Sequence, residues 1–394
     1  MNFTSAFLPL VYAGMLNSSD DLAPYCIPEI LNKTDVIRGK IVVCELGEIT
    51  AIEKGQAVKD SGGAAMILVN YEEYGNTTIA RAHVLPATQI SYADGLKVKT
   101  YINSTSNPVA KILFKGTLIG DDRAPVVAGF SSRGPNYASP GILKPDILGP
   151  GVNILAAWPV SVENITNTKS TFNMLSGTSM ACPHLSGVAA LLKSSHPNWS
   201  PAAIKSAIMT TADVVNLARQ PIEDEKFLPA NIFATGSGHV NPSKANDPGL
   251  VYDIQPKDYI PYLCGLNYTN RQVGTFLQRR VNCSIESSIP DGQLNYPAFV
   301  ITFTVLSNSQ TYTRTITNVG ESKSSYTVKI FRPPGVDVRV EPTTLNFSEL
   351  YQKMIYRVTF KRLASSRNNT VVQGYLIWNS DKHAVRSPIA VILS

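Results

Sequence analysis

Nine residues, Ser176-Gly177-Thr178-Ser179-Met180-Ala181-Cys182-Pro183-His184, bring hydroxyls, a thiol and an imidazole together. A Gly-Thr turn delivers Ser179 to the start of an apolar helical run. There the unpaired N–H groups of a first helical turn and the positive end of the helix dipole would stabilise an oxyanion beside the hydroxyl. The chemistry that suits this placement is acyl transfer with Ser179 as nucleophile. The structural alternative is a Ser/Thr pair that only caps the helix. Pro183 is tolerated if it falls in the first turn, where its missing N–H is not needed.

A serine nucleophile needs a base, usually histidine, and a group to orient that base. His184 follows Ser179 by five residues, which is ~140° around a helix and ~7.5 Å along it, so it points away. His83, His196, His239 and His383 read as surface or structural residues. Asp146, in Lys144-Pro145-Asp146-Ile147, reads as a turn carboxylate accepting from backbone N–H groups. No metal-ligand spacing occurs, so no metal ion or cofactor is expected.

The 394-residue chain carries a net charge of +6 without a basic cluster, Arg279–Arg280 and Lys361–Arg362 being its densest spots. This excludes the charged stripe of a nucleic-acid binder. No apolar stretch reaches the ~18 residues of a membrane span. The five cysteines form no CxxC pair. Cys26/Cys44 and Cys264/Cys283 each lie within one local segment. Either these form two disulfides and leave Cys182 over, or all five are buried thiols. Eleven N-x-S/T sites, at Asn2, Asn17, Asn32, Asn76, Asn103, Asn164, Asn198, Asn267, Asn282, Asn346 and Asn368, exceed the roughly four that 27 asparagines give by chance. That excess favours an extracellular route. Residues 1–16 lack a basic start and are broken by Pro9, so they read as a strand centred on Leu10-Val11-Tyr12 rather than as a signal peptide.

The elements that must hold these residues fall into regions. Residues 38–44, RGKIVVC, predict a strand; a helix from Ile52 to Lys59, a Gly62-Gly63 stop and the strand AAMILVN follow, with further strands including VAKILFKG after 85. From 120, short strands such as VVAGF and VNILAAW sit between Gly/Pro turns. Two apolar helices follow, a largely buried one from Ser179 and another opened by the Ser200 cap and Pro201. From 290, alternating Thr311, Thr313, Thr315 and Thr317 with recurrent turns predict a β-sandwich.

Phe130-Ser131-Ser132-Arg133-Gly134-Pro135, Gly149-Pro150-Gly151-Val152 and Leu175 to His184 resemble the C-terminal half of the plant-type subtilisin-like serine proteases. The resemblance continues at Gly236-Ser237-Gly238-His239-Val240-Asn241-Pro242 and Asp247-Pro248-Gly249-Leu250-Val251-Tyr252-Asp253, with Gly149 and Ser237 standing where Ala is more usual. Leu294-Asn295-Tyr296-Pro297 and Arg314 to Gly320 carry it into the last region. It implies an α/β fold: a partial subtilisin-like doubly wound parallel sheet, an inserted mixed α/β domain and an all-β C-terminal sandwich. Residues 1–20 would be a strand of the catalytic domain and 21–119 a protease-associated-like insertion. Residues 120–289 would be the C-terminal half of the catalytic domain and 290–394 a fibronectin type III-like domain. Ser179 would be the nucleophile of an endopeptidase acting on polypeptides. The family's Asp-Thr-Gly-like, Gly-His-Gly-Thr-His-like and Ala-Gly-Asn-like motifs, which carry the acid, the base and the oxyanion Asn, do not occur in this sequence. The expectation is a chain inactive by itself, with an N-terminal fragment or another protein as partner. The alternative is a non-catalytic secreted interaction protein that uses its protease-associated-like and fibronectin-like domains. Without the family's remaining strands, the helix from 179 would expose an apolar face.

Overall fold

The structure, a computed structural model, describes residues 6–17, 19–158, 171–304, 307–364, 366 and 369–394. The sites at Asn2, Asn164 and Asn368 lie outside the described residues. The chain divides into two compact units. One comprises Met1–Ser131, Pro150–Cys182 and Glu223–Pro229; the other comprises Ser132–Gly149, Pro183–Ile222 and Ala230–Ser394.

In the first unit, β1 (Leu8–Tyr12), β2 (Ile41–Glu45), β3 (Ala65–Val69), β4 (Ala87–Ile90) and β5 (Val109–Ala110) form one sheet in the order β4-β3-β2-β1-β5. The pairs from β1 to β4 are parallel. β2 and β3 read IVVCE and AMILV, apolar on both faces as strands covered on two sides must be. The period of two sends Val42, Cys44, Met66 and Leu68 to one face and Ile41, Val43, Ile67 and Val69 to the other. The short α1 (Pro28–Leu31) supplies Leu31 to the first core, and α2 (Ala51–Asp60) supplies Ala57 and Val58. The second core receives Ile102 from α3 (Tyr92–Ser104). α2 opens on a capping box, Thr50 Oγ1 accepting from Glu53 N–H and Glu53 Oε2 from Thr50 N–H. It ends at Gly62, whose φ of +82° is the left-handed stop that glycine supplies.

Two expectations are corrected in this sheet. β1 does not join a sheet of region 120–289. Leu10 pairs with Ile41 of β2 and packs into the second core, so burial of Leu10 decides the partner. VAKILFKG is a strand only at Val109–Ala110, where it pairs with Pro9 and Leu8 of β1. Phe114, Leu118 and Ile119 beyond it are exposed. Cys26 and Cys44 are joined in a disulfide, as are Cys264 and Cys283, which removes the reading of five thiols.

The same unit holds the antiparallel ribbon of β6 (Ile154–Ala157) and β7 (Phe172–Leu175). It leads into α4 (Thr178–Ser195). Val126 makes only a bridge to Glu223. Among the described residues, region 120–289 therefore holds no doubly wound parallel sheet; its parallel pairings are the single bridges Val126–Glu223 and Leu148–His239. Parallel pairing needs a neighbouring crossover strand, and none is described beside β6 or β7.

In the second unit, α5 (Pro201–Thr210) is buried along most of its length, and Ser200 Oγ caps it by accepting from Ala203 N–H at 3.0 Å. α4, expected to be largely buried, buries only Leu192; Leu185, Val188 and Ala189 are partly covered by the core around Trp199, Ile204 and Ile208, and Leu191 is 66% exposed. The exposed apolar face is the one foreseen for a helix without further strands over it. α6 (Ile232–Thr235), α7 (Pro242–Asn246) and β8 (Leu250–Val251) follow, then α8 (Tyr259–Gly265) and α9 (Asn270–Leu277). The second disulfide ties α8 to the stretch after α9.

β9 (Phe299–Phe303), β10 (Ser309–Asn318), β11 (Ser324–Phe331), β12 (Val336–Glu341), β13 (Thr344–Phe347), β14 (Lys353–Arg362), β15 (Thr370–Asn379) and β16 (Ala384–Leu393) build the sandwich. Its sheets run β12-β14-β10-β8 and β13-β11-β15-β16-β9. Alternation places Tyr356, Val358 and Phe360 of β14 inward with Trp378, Tyr326 and Phe299. The expected all-β region is present, and β8 from the preceding region completes one of its sheets.

Candidate active site

The loop before α4 is held from below by a second loop. Gly177 N–H donates to Gly151 O at 2.8 Å, and Asn153 N–H to Ser176 Oγ at 2.7 Å. Ser176 Oγ donates back to Asn153 Oδ1 at 3.2 Å, and Ala80 N–H donates to the same oxygen at 2.8 Å. Asn153 adopts φ +54°, a conformation asparagine accepts more readily than most residues. A Cβ on Gly151 would lie 2.8 Å from Gly177 O and 3.2 Å from Ala181 Cβ, so only glycine lets the two loops meet. The segment Gly149 to Asn153 carried this signal in its glycines, but the grip of Asn153 on Ser176 is tertiary and was missed.

Ser179 is the second residue of α4 and is exposed. Met180 and Ala181 turn their N–H groups to Gly177 O, at 3.0 and 3.3 Å. The N–H groups of Thr178 and Ser179 precede any intrahelical acceptor and are the donors an oxyanion would use. Pro183 is the sixth residue of α4, which starts at Thr178, and it lies beyond the first turn expected for it. Its absent N–H is the one that would bond the Ser179 carbonyl.

The histidines are placed as follows. His184 lies on α4 five residues beyond Ser179 and is exposed. His196 Nε2 contacts Asn246 O at 2.8 Å, and its ring stacks on Trp199 at 3.8 Å. His239 donates from Nδ1 to Val240 O at 3.1 Å, and burial holds its pKa down. His383 Nε2 lies 2.9 Å from Asp247 Oδ1. His83 is half-buried, and burial, helped by Arg81, lowers its pKa to about 4. Asp146 is also corrected. It accepts not from backbone but from Lys144 Nζ at 2.7 and 2.8 Å and from Tyr296 Oη, with Lys205 Nζ at 3.5 Å. Burial pushes this carboxyl up, and Lys205 and Lys144 more than offset it, holding it below the ordinary range. The same burial and the Asp146 charge push the Tyr296 hydroxyl up.

The model of the Subtilase family matches residues 39–246, just over half of the chain, and that of the Fibronectin type-III domain matches residues 293–391. The chain is 44% identical over 392 residues to subtilisin-like protease SBT1.2 of Arabidopsis thaliana, covering 96% of this chain and 50% of that protein. It is 44% identical over 404 residues to subtilisin-like protease SBT1.5 of the same plant, covering 98% and 52%. The chain thus spans about half the length of the curated relatives it matches. It belongs to the subtilase family of subtilisin-like proteases, with a fibronectin type-III domain at its C-terminal end.

Proposed function

We propose that Ser179 is the nucleophile of a subtilisin-like serine endopeptidase that cleaves polypeptides through a Ser179 acyl-enzyme. The observation that carries this reading is the exposed hydroxyl at the second position of α4, beside first-turn N–H groups with no acceptor within the helix. The base is not His83, His196, His239 or His383, each of which is engaged or buried elsewhere, and His184 leaves Ser179 by turning with the helix. A hydroxyl without a base stays protonated at neutral pH and is a poor nucleophile. We therefore assign general-base and orienting roles to a polypeptide segment bearing the family's Asp, His and Asn motifs, and read the chain alone as inactive.

Residues 21–119 are proposed as a protease-associated-like domain, supported by a sheet and two cores that they share with β1 and by the Cys26–Cys44 disulfide. An extracellular, glycosylated setting is supported by both disulfides and by seven exposed asparagines among the eight described sequons, Asn76 being the half-buried one. The placement of the four histidines also favours the second reading, a non-catalytic interaction protein.

A fluorophosphonate probe separates the readings. The chain alone is expected not to label, and the chain co-expressed with the N-terminal half of subtilisin-like protease SBT1.2 is expected to label at Ser179, with loss in Ser179→Ala. Absence of labelling in the co-expressed pair, whose assembly is verified by co-purification, sinks the catalytic reading. Stoichiometric labelling of the chain alone sinks the claim that a base is missing.

A further inference from the structure

Arg386 lies on β16 and is 92% buried, being 8% exposed. Its guanidinium offers five N–H donors in a fixed fork. Among the described residues it makes one hydrogen bond, from Nη2 to Ser237 O. The Tyr375 ring lies 5.8 Å from its centre. Asp213 is the carboxylate whose field reaches it without a hydrogen bond between them, its two oxygens accepting from Lys244 at 2.6 Å and Asn241 at 2.8 Å. Burial lowers the Arg386 pKa to about 10, so the group stays charged at neutral pH. Removing a cation from water without an anionic partner is costly, and proteins normally pair such a group.

Arg386 forms part of the wall of a cavity of about 360 Å³, and also of a second one that it shares with Asp213 and Asp247. The rest of the first wall is mostly aliphatic, with Val215, Pro221, Ile222 and Ile232 among its residues, and it contains no Asp, Glu or Lys. Gln373 also lines it. The Gln373 Oε1 accepts from Ile232 N–H at 2.7 Å, which leaves the amide N–H₂ as its remaining polar group. One buried cation, one amide donor and an apolar chamber form a site with donors and no anionic acceptor. The volume falls in the range of small-molecule sites, roughly 300–1,000 Å³.

We propose that this cavity binds a carboxylate carried on a compact apolar body, with the Arg386 guanidinium as the anion's partner and the aliphatic wall around its hydrocarbon part. Two sources share that chemistry: a free branched-chain acid, and the C-terminal carboxylate of a peptide ending in an aliphatic residue.

The test is calorimetric titration of the full chain with 4-methylpentanoate, with its neutral amide, with a tripeptide ending in leucine and with that peptide's C-terminal amide. At least one acid is expected to bind about tenfold or more tightly than its amide, as a charge-assisted bidentate pair requires. Binding by the free acid and by the peptide each supports the site and tells the two sources apart. Arg386→Gln is expected to abolish the difference between acid and amide. Val215→Phe, which fills the chamber and leaves the guanidinium in place, is expected to weaken both acids. Equal binding of acids and amides, or no heat from any ligand at millimolar concentration, overturns the proposal. So does an unchanged acid preference in Arg386→Gln.

Discussion

Pro183 stands four residues after Ser179 on α4, at the position whose N–H would otherwise close the helical hydrogen bond to the Ser179 carbonyl. The residue that would do chemistry thus sits in a first turn with one backbone bond fewer than a regular helix has. Pro183→Ala restores the donor, and proline in a helix interior costs ~3 kcal/mol relative to alanine. The substitution is expected to raise the urea midpoint of the chain. A lowered midpoint would show that the proline ring packs usefully against its surroundings.

The His83 imidazole gives the first unit a pH signature. Its pKa is about 4 in the folded chain against 6.5 for the free side chain, the largest cause being burial. Between these values the unfolded chain binds more protons, so stability rises as pH climbs from about 4 to 6.5 and is level above. His83→Gln is expected to flatten that slope in urea unfolding followed across the window. An unaltered slope would assign it to other groups.

The disulfide between Cys26 and Cys44 spans 18 residues of sequence. Closing a loop of that size restricts the unfolded chain by ~3 kcal/mol. A Cys26→Ala, Cys44→Ala double variant is therefore expected to lose about that much, measured by urea unfolding. A loss well under 1 kcal/mol would mean the sheet alone holds α1 and the segment around Cys26 in place.

The ribbon β6–β7 presents Leu155, 64% exposed, and Phe172, 55% exposed, on its outer face. Cross-strand pairing sets Leu155 opposite Met174, and Ala157 opposite Phe172. Contiguous exposed apolar surface promotes association. Leu155→Lys with Phe172→Lys is expected to lower the weight-average mass in sedimentation at high concentration. Equal masses before and after would show that this face is not what brings copies together.

How much of this was legible in the sequence depends on the range of the interaction concerned. The Ser200 cap and the Gly62 stop follow from residues near one another in the chain and were readable there, whereas the local spacing of the cysteines left two disulfides and five thiols both open. The start of α4 was read one residue late, and Pro183, already the fifth residue when counted from Ser179, lies beyond the first turn on either start. The pairing of β1 with β2, the capture of Asp146 by Lys205 and Tyr296, and the exposure of α4 are decided by segments far apart in sequence. A run such as Leu10-Val11-Tyr12 specifies a strand but not its neighbour.

Arg314, 1% exposed, shows what a satisfied buried guanidinium looks like in this chain. Nε donates to Tyr296 O at 3.0 Å, Nη1 to Thr313 O at 3.1 Å, and Nη2 to Gly292 O at 2.9 Å and Ala298 O at 3.2 Å. Phe299 lies against it, 4.5 Å from ring centre to guanidinium carbon. Four carbonyls from the approach to β9 and from β10 are gathered by one planar fork, which fixes how the sandwich begins. A lysine carries its donors on a single atom and cannot reach acceptors spread around a guanidinium. Each buried carbonyl left without a donor costs ~1–3 kcal/mol, so Arg314→Lys is expected to lose roughly 2–4 kcal/mol. The loss should appear in urea unfolding followed by the fluorescence of buried Trp378. A cost below about 1 kcal/mol would mean water replaces the fork, and the fork would then not be what fixes the entry to the sandwich.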